Sequence, residues 1–442
     1  MLLDVNDRTL FQIKNISLRN YAGIYVSIYK EFMQQVSETG IEIDKQDYSV
    51  QVKEKIEALR KRGVTLRNNN KSLCYGKISP ACIACQTGVG SSTFFISLQC
   101  HRNCYYCFNP NQEKFDYYQS HKRDVVQELK QLKEKRQRVR HLALTGGEPL
   151  LHKEETLNFF QYATDNIPEA YTRLYTSGDH IDAQILQNLK DAGLREIRFS
   201  IRMHDLEANQ EHTLKKIRLA KEYIPYVMVE MPVLPDTLTE MKAILVKLDE
   251  LELFSINLLE LCYPLANAEI FNEKGFKIKN EPFHILYDYW YAGGLPVAGS
   301  ELVCLDLLAF ASDSNLSLGV HYCSVENKQT GQIYQQNSVR PLPEIAYYSQ
   351  RDYFLKTAKV FGDDIARVSE FFEKKGYKDY EIVEEHNYIE FHINKVRALA
   401  KFDIEEVGIS YSVLENRNNE MMIREVKVDI AYPKTFQLSK DV

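Results

Sequence analysis

The pattern of hydrophobic and polar positions changes twice along the chain. From residue 1 to about 70, apolar side chains recur at three- and four-residue spacing, as in YAGIYVSIYKEFMQQVS and QDYSVQVKEKIEALRKRG. This spacing predicts mostly helix. Short β-branched and aromatic runs then alternate with amphipathic helical stretches until about residue 340. The last segment alternates apolar and polar residues, which predicts a small β-rich region.

The middle region contains six strand-like segments, five of which are followed by an amphipathic helical stretch. Such a series predicts a parallel sheet with crossover helices. The spacing is roughly even and no GxGxxG motif follows the first strand, which favours a barrel or partial barrel over a Rossmann sheet. Two further candidate strands, GLPVAGS and LSLGVHYCS, would extend it. The six segments are TFFISLQC, VRHLALTGG, TRLYTSG, LREIRFSIR, YVMVEMPVL and SINLLELCYP.

These patterns together predict an α/β fold with three regions. A chain of 442 residues exceeds the usual size of a single domain. We expect a helical N-terminal region over residues 1–72 and a C-terminal α+β appendage over 336–442. Between them, residues 73–335 are expected to form a parallel partial (β/α)6 barrel, preceded by a cysteine-rich loop.

Composition narrows the choice of partners and compartment. Hydrophobic residues make up 44% and charged residues 26%, which is ordinary for a soluble globular protein. The net charge of -6 gives no reason to expect a nucleic acid or an anionic membrane as a partner. The chain has no apolar run long enough to span a bilayer, and its start lacks the features of a signal peptide. We therefore expect a cytoplasmic protein, in which clustered cysteines serve metal or redox chemistry rather than disulfides.

Six of the nine cysteines lie within 34 residues. Cys100, Cys104 and Cys107 follow the first predicted strand and are spaced to bind one metal centre. Tetrahedral zinc and a cubane iron–sulfur cluster both take four ligands, so the triplet leaves the source of the fourth ligand as a question. Cys304 lies in an apolar helical stretch and is interpreted as a packing residue.

Polar, glycine-bearing loops follow several of the predicted strands. In a parallel α/β barrel the active site lies at the carboxyl ends of the strands, where these loops gather. The cysteine triplet follows the first strand, TGGEP the second, TSG the third and SIRMHD the fourth, and the sixth strand ends on Cys262. The sequence therefore predicts an active site at this end of the barrel.

The triplet and the glycine-rich loop together resemble the radical S-adenosylmethionine (SAM) superfamily. The shared features are Cys-x3-Cys-x2-Cys after the first strand, with Tyr106 before the last cysteine, and Gly-Gly-Glu-Pro after the second strand. The resemblance covers about residues 90–265. It implies a barrel of radical SAM type in which Cys100, Cys104 and Cys107 hold a [4Fe–4S] cluster. A zinc-binding or purely structural triplet is the alternative.

The resemblance also implies a reaction. SAM would bind the open iron through its amino and carboxylate groups. Reductive cleavage of SAM would give a 5′-deoxyadenosyl radical that abstracts hydrogen from the substrate. The electron would come from a low-potential donor such as flavodoxin or ferredoxin.

Motif matching assigns SAM contacts to the glycine-rich loop and to the triplet. Gly146, Gly147 and Glu148 resemble the segment that receives the amino group of SAM. Tyr106 is expected to lie against the adenine.

Three further positions match less specific elements of the motif. Ser177 and Ser200 correspond to polar positions that meet the ribose or the carboxylate of SAM. Arg202 is expected to pair with that carboxylate in a bidentate manner. For each of these three residues a structural role is the alternative.

A second group of cysteines precedes the first strand. Cys82-x2-Cys85 forms a pair that needs ligands from elsewhere, and Cys74 and Cys323 are the best candidates. Three interpretations remain open, namely an auxiliary [4Fe–4S] cluster, a zinc site, and packing or redox thiols. Separately, Cys323 or Cys262 is a candidate donor of a hydrogen atom to a substrate radical, as in epimerases of the superfamily.

Other polar residues near the predicted strand ends are candidate substrate contacts. His321, Glu326 and Lys328 surround Cys323 in sequence and are candidate acid–base groups. Glu230 and Glu260 lie in the fifth and sixth strands and are candidates to point into the barrel. A satisfied core histidine and structural carboxylates are the alternatives.

Three functions remain as hypotheses. The first is a radical SAM enzyme that modifies a peptide or protein, because the helical N-terminal region and extra cysteines are common in such members. The tail would offer a strand edge for pairing with a substrate. The second is an enzyme of cofactor or natural-product biosynthesis that acts on a small molecule. The third is a non-catalytic iron–sulfur protein.

Overall fold

The computed structural model describes residues 2–135, 138–282, 294–338, 341–417 and 420–442. Its described residues fall into two units. The larger unit runs from Thr39 to Pro282 and from Gly294 to Gly331, and the smaller unit holds the residues up to Glu38 and from Gln332 onward.

The helices and strands have the following bounds. The strands are β1 Ile43–Asp47, β2 Thr65–Arg67, β3 Ser72–Tyr75, β4 Ser91–Phe95, β5 His141–Thr145, β6 Tyr171–Thr176, β7 Glu196–Phe199, β8 Tyr226–Val233, β9 Ser255–Glu260, β10 Cys262–Tyr263, β11 Ile278–Asn280, β12 Leu295–Pro296, β13 Gly319–Cys323, β14 Tyr347–Tyr348, β15 Leu355–Phe361, β16 Tyr380–Val383, β17 Tyr388–Phe391, β18 Val407–Arg417 and β19 Glu420–Ala431. The α-helices are α1 Ile16–Glu38, α2 Ser49–Lys61, α3 Pro80–Cys85, α4 Phe115–Ser120, α5 Val125–Glu134, α6 Lys153–Asn166, α7 Ala183–Asp191, α8 Glu207–Ala220, α9 Leu238–Glu250, α10 Ala268–Glu273, α11 Ser300–Asp313, α12 Val325–Asn337, α13 Asp364–Lys375 and α14 Leu438–Asp441. Short 3-10 helices cover Leu10–Gln12, Asn109–Asn111, Pro149–Leu151, Glu384–His386 and Ile393–Phe402.

A nine-stranded sheet forms the centre of the larger unit. Its order is β2-β3-β13-β9-β8-β7-β6-β5-β4. Strands β4 to β9 lie side by side in chain order and are parallel, and β13 continues the parallel sheet beside β9. Strands β3 and β2 complete it as an antiparallel pair. The two ends of the sheet, β2 and β4, are not paired with each other, so the barrel is partial.

Local sequence explains why these elements form. The central strands are buried on both faces, as parallel strands covered by helices require; Leu142, Ala143 and Leu144 of β5 are fully buried. Two of the crossover helices, α5 and α7, carry side-chain caps at their N-termini. Asp124 accepts a hydrogen bond from Gln127 N at 2.9 Å, and Asp182 accepts one from Ile185 N at 2.7 Å.

The predicted α/β fold is confirmed. All six predicted strands form, as β4 to β9, and LSLGVHYCS contributes β13 to the same sheet. The other candidate strand, GLPVAGS, contributes β12, which pairs with β10 outside the nine-stranded sheet. A two-residue strand pairs wherever a partner edge is near, and its sequence does not specify which sheet receives it.

The N-terminal region is divided differently from the expected 1–72 segment. Helix α1 belongs to the smaller unit, whereas residues 39–72 belong to the larger one. There α2 packs against α11, and β2 and β3 extend the sheet. Helical periodicity alone does not reveal which core a helix covers.

The smaller unit is built on an antiparallel sheet. Its order is β16-β17-β15-β18-β19, with β14 paired to β15. The core beneath it contains Val360, Phe372, Phe391 and Ile409, all buried. The predicted β-rich C-terminal region is therefore present. Of the helices in the described parts of the chain, none combines the length and the apolar character that a bilayer crossing requires.

Candidate active site

The three cysteines of the triplet lie in the loop that follows β4. Cys100 is exposed, and Cys104 and Cys107 are half-buried. A turn joins the last two, because Cys107 N donates to Cys104 O at 3.0 Å. The pKa of Cys104 is raised to about 11, chiefly by burial; Arg202 opposes the rise, and the neighbouring thiols of Cys107 and Cys100 add to it. The three thiols therefore lie close enough to influence one another's charge.

An ion-pair fork holds the cysteine loop against the end of β6. Arg102 donates to Asp179 through Nε at 2.8 Å and through Nη2 at 2.6 Å. His101 Nε2 lies 2.6 Å from the same carboxylate. Burial acts to raise the pKa of Asp179, but the hydrogen bonds from Arg102 and His101 prevail and lower it. Bidentate guanidinium–carboxylate pairs fix orientation as well as distance, so this fork positions the residues beside Cys100.

The glycine-rich loop approaches the cysteine loop backbone to backbone. Gly147 N donates to Ser97 O at 3.2 Å, and Glu148 N donates to Gln99 O at 2.8 Å. A β-carbon on Gly147 would lie only 1.8 Å from Gln99 O, and one on Gly146 would lie 2.9 Å from Ser97 O. Gly146 also has a φ of +103°, which side chains disfavour. Two glycines are therefore required where the loop meets the residues before Cys100.

Glu148 is buried and braces this loop against β6. Its carboxylate accepts hydrogen bonds from Leu150 N at 3.1 Å, Thr176 Oγ1 at 2.9 Å and Ser177 N at 2.7 Å. A carboxylate offers about four acceptor positions, so about one remains for another donor. The prediction that Glu148 receives the amino group of SAM stays a prediction, and the structure adds a bracing role.

Arg202 is buried next to Cys104 and has a donor to spare. Its Nε donates to Asp205 at 2.9 Å, while its buried Nη2 has no partner among the described residues. A buried guanidinium donor is costly without an acceptor. The predicted pairing of Arg202 with the carboxylate of SAM fits this position.

Ser177, Ser200 and Tyr106 lie around the same end of the sheet. Ser177 uses its amide on Glu148, and Ser200 N donates to the end of β6 at 3.3 Å. The Tyr106 ring contacts His204 edge-on at a centroid distance of 5.3 Å. Their predicted contacts with the ribose, the carboxylate and the adenine stay predictions.

The site fits an iron–sulfur cluster with an organic ligand beside it. Three mutually interacting thiols, a glycine cradle with no room for side chains, and a guanidinium nitrogen without a partner among the described residues meet at one end of the sheet. Among the described residues, no three His, Cys, Asp or Glu side chains are placed to hold a single metal ion. In a cubane each thiolate binds a different iron, so that single-ion criterion does not apply to cluster ligands.

Residues 95–248 match the sequence model of the radical SAM superfamily. The chain carries a radical SAM domain. A Methanocaldococcus jannaschii protein provisionally named a glycyl-radical enzyme activating enzyme is 25% identical over 330 residues, which are 70% of this chain and 81% of that protein.

Two solved structures of Streptococcus suis SuiB are also similar to the chain. SuiB bound to its precursor peptide SuiA is 13% identical, with a TM-score of 0.40, over 66% of this chain and 56% of SuiB. SuiB bound to S-adenosylmethionine is 12% identical, with a TM-score of 0.39, over 55% and 53%. The chain thus spans little more than half the length of the SuiB chains it matches.

The family assignment confirms the resemblance drawn from the motifs. Residues 95–248 belong to this superfamily, whose cofactors are a [4Fe–4S] cluster and SAM. Sequence reasoning missed the Arg102–Asp179 fork. The signal was the dipeptide His-Arg directly after Cys100, together with an aspartate directly after TSG.

The second group of cysteines comes from the segment before β4 and from strand β13. Cys82 and Cys85 lie in α3, Cys74 in β3, and Cys323 at the end of β13. The Cys82 thiol influences the pKa of both Cys74 and Cys323, and the Cys85 thiol influences that of Cys82 and Cys323. Burial raises the pKa of Cys74 and Cys323 to about 12 and that of Cys82 to about 11. Cys82 is thus near each of the other three thiols of the possible ligand set.

Cys262 does not join either cysteine group. Its thiol donates to Glu260 O at 3.6 Å, and burial raises its pKa to about 12, with Lys328 opposing that rise. Lys328 also opposes the rise at Cys323, so both thiols face the same ammonium. Hydrogen-atom donation by Cys262 or Cys323 stays a prediction.

The other candidate residues are engaged in hydrogen bonds within the larger unit. His321 lies 2.7 Å from Ser72 Oγ, and burial lowers its pKa to about 3, so the ring is neutral. Glu230 pairs with Arg198 and accepts from Asn257 Nδ2 at 2.7 Å.

Glu260 and Glu326 are likewise paired. Glu260 accepts from Val325 N at 2.9 Å, at the start of α12, and from Lys279 Nζ at 3.3 Å. Glu326 lies 3.2 Å from Lys71 Nζ. The contacts of these carboxylates agree with the structural alternative, whereas His321 Nδ1 is buried without a partner among the described residues.

We predict that changing Cys100, Cys104 and Cys107 to alanine abolishes reductive SAM cleavage. Without these thiolates the cluster that accepts the electron has no ligands at this site. The measurement is 5′-deoxyadenosine formation by anaerobically reconstituted protein under a strong reductant. Cys304→Ala, a buried cysteine outside both groups, is the control. Formation at the native rate by the triple variant would show that the triplet does not hold the cluster.

Gly147→Ala is expected to lower iron incorporation sharply. The new β-carbon would overlap Gln99 O, so the segment leading to Cys100 must move. Iron content and thermal unfolding are the measurements. Gly23→Ala in α1 is the control, because its β-carbon would meet nothing closer than 3.8 Å. Normal iron content in Gly147→Ala would contradict the close approach of the two loops.

Glu148→Gln distinguishes the structural role of Glu148 in holding the loop from a role in binding SAM. The amide accepts through one oxygen only, and its NH2 group would face one of the present donors. Loss of a hydrogen bond to a charged acceptor costs about 1.5–3 kcal/mol. We expect lower stability and iron content together with weaker SAM binding, measured by unfolding, metal analysis and calorimetry. Weaker SAM binding with unchanged stability and iron would assign Glu148 to SAM alone.

Proposed function

We propose that this radical SAM enzyme abstracts hydrogen from a peptide or protein substrate. The observation that carries the proposal is the relative that aligns with 70% of the chain, since its name describes the activation of another enzyme, an action on a protein. The edge strands β2 and β4 of the nine-stranded sheet are not paired with each other. This supports a peptide substrate, because a partial barrel leaves room for an extended chain. In this proposal the protein acts in the cytoplasm. Its electron comes from a low-potential donor such as flavodoxin or ferredoxin.

The residues of the chain divide the work at the site. Cys100, Cys104 and Cys107 lose their protons when they bind iron, so loading the site releases protons. When bound, the cluster and SAM supply the electron transfer and the 5′-deoxyadenosyl radical. Arg202 offers its free Nη2 to an anionic group, and the glycine loop keeps side chains out of the space beside the cysteines.

We also propose that the second cysteine group binds a second iron–sulfur cluster. Cys74, Cys82, Cys85 and Cys323 provide the four thiolates that a closed cubane takes. Their mutual electrostatic influence and the burial of three of the four support this set. Because all four ligands are cysteines, no iron is left open for SAM, which distinguishes this cluster from the first.

The substrate class can be tested by isotope transfer. An extract of the source organism grown in deuterated medium is separated into macromolecules and small molecules. Each fraction is incubated with reconstituted enzyme, unlabelled SAM and reductant, and deuterium in 5′-deoxyadenosine is measured by mass spectrometry. We expect deuterium from the macromolecular fraction, and none with the variant lacking the triplet. Deuterium from the small-molecule fraction alone would favour the biosynthetic alternative and contradict the proposal.

The second cluster can be tested by metal analysis of matched variants. With two cubanes, iron in the wild type approaches about eight per chain, twice the four of one cubane. The variant lacking Cys100, Cys104 and Cys107 should keep about half of that iron, and so should a variant lacking the second group. Mössbauer spectra identify the residual metal. Tightly held zinc, or no metal, in the variant lacking the triplet would contradict the second cluster.

A further inference from the structure

Arg198 is a cation enclosed in the larger unit. It lies on β7 with 2% of its surface exposed. Its Nε donates to Glu196 at 2.6 Å, and its Nη1 donates to Glu230. Two carboxylates therefore already balance the guanidinium, and any further hydrogen bond that it makes is not needed for charge compensation.

The remaining nitrogen of Arg198 points at the second cysteine group. Nη2 donates to Ser79 Oγ at 3.0 Å and to Cys82 Sγ at 3.4 Å. The N–H groups of a planar guanidinium point in fixed directions. The hydrogen bonds of Nε and Nη1 to the two carboxylates therefore also fix the direction in which Nη2 points toward the sulfur.

Arg198 also fixes the helix that carries Cys82. Ser79 caps α3 by accepting from Ala81 N at 3.2 Å, and its hydroxyl donates to Glu196 at 2.6 Å. Arg198, Glu196 and Ser79 thus form a closed set of hydrogen bonds at the N-terminus of α3. Several hydrogen bonds therefore fix the position of Cys82 relative to the guanidinium.

A hydrogen bond from a cation to a ligand sulfur acts on a cluster's reduction potential. Reduction adds negative charge, part of which resides on the sulfurs, and a charged donor stabilises the reduced form more than the oxidised form. The potential is then higher than it would be without the donor.

We propose that Arg198 is a positioning residue that raises the reduction potential of the second cluster through its hydrogen bond to Cys82. The inference rests on the four-cysteine site proposed above. It assigns to this buried arginine a redox role in addition to its ion pairs.

The test uses the variant lacking Cys100, Cys104 and Cys107, which isolates the second cluster. Arg198→Lys is added to it, because lysine keeps the charge between the two carboxylates but lacks the planar fork. Arg173→Lys is the matched control. Arg173 is a buried arginine on β6 whose guanidinium lies 5.9 Å from the Tyr175 ring, the same ring that Arg198 faces at 5.3 Å.

Midpoint potentials are measured by EPR-monitored redox titration, with iron content determined in parallel. We expect Arg198→Lys to shift the potential to a more negative value with iron retained, and Arg173→Lys to leave it unchanged. An unchanged potential in Arg198→Lys would overturn the inference while leaving the second cluster in place. A parent variant without iron would remove the four-cysteine site and this inference with it.

A second measurement does not depend on folding of the variant. The parent protein is labelled with 15N-arginine, and pulsed EPR of the reduced cluster detects nitrogen coupled to the electron spin. A guanidinium bonded to Cys82 Sγ should give a 15N coupling. Its absence would overturn the inference even if Arg198→Lys failed to fold.

Discussion

The active-site end of the larger unit depends on one close backbone approach, between Gly147 and the residues that precede Cys100. The amides of Gly147 and Glu148 donate to the carbonyls of Ser97 and Gln99, and this is possible only because no β-carbon stands between the two chains. Hydrogen bonds between the backbones of two loops fix both loops at once. The cysteine loop is therefore held in position by contacts of the protein backbone.

Carboxylates hold the loops around this contact in place. Asp179 receives the fork from Arg102, Asp205 receives Arg202, and Glu148 receives two amides and a hydroxyl. The Arg102 guanidinium also lies 3.9 Å from Asp205, so these contacts join the loops that follow β4, β5, β6 and β7. Paired buried charges are costly to separate, and this favours a single arrangement of the loops.

The two cysteine groups draw on strands near opposite edges of an unclosed sheet. The triplet follows β4, the last strand at one end, whereas Cys74 and Cys323 lie on the β3–β13 pair near the other. Helix α3 joins β3 to β4 along the chain and carries Cys82 and Cys85. Arg198 of the central strand β7 donates to Cys82, so the second group also contacts the middle of the sheet.

Local patterns in the sequence determined the six βα units, the triplet and the glycine loop, because hydrophobic periodicity and short motifs act over a few residues. They also placed Cys74, Cys82, Cys85 and Cys323 in one candidate set. Only the tertiary structure decided that β12 leaves the main sheet, that residues 39–72 join the barrel, and that Glu148 and Arg198 hold groups from distant segments. These features depend on which strands become neighbours, and a buried charged side chain finds its partners only after the sheet has brought them together.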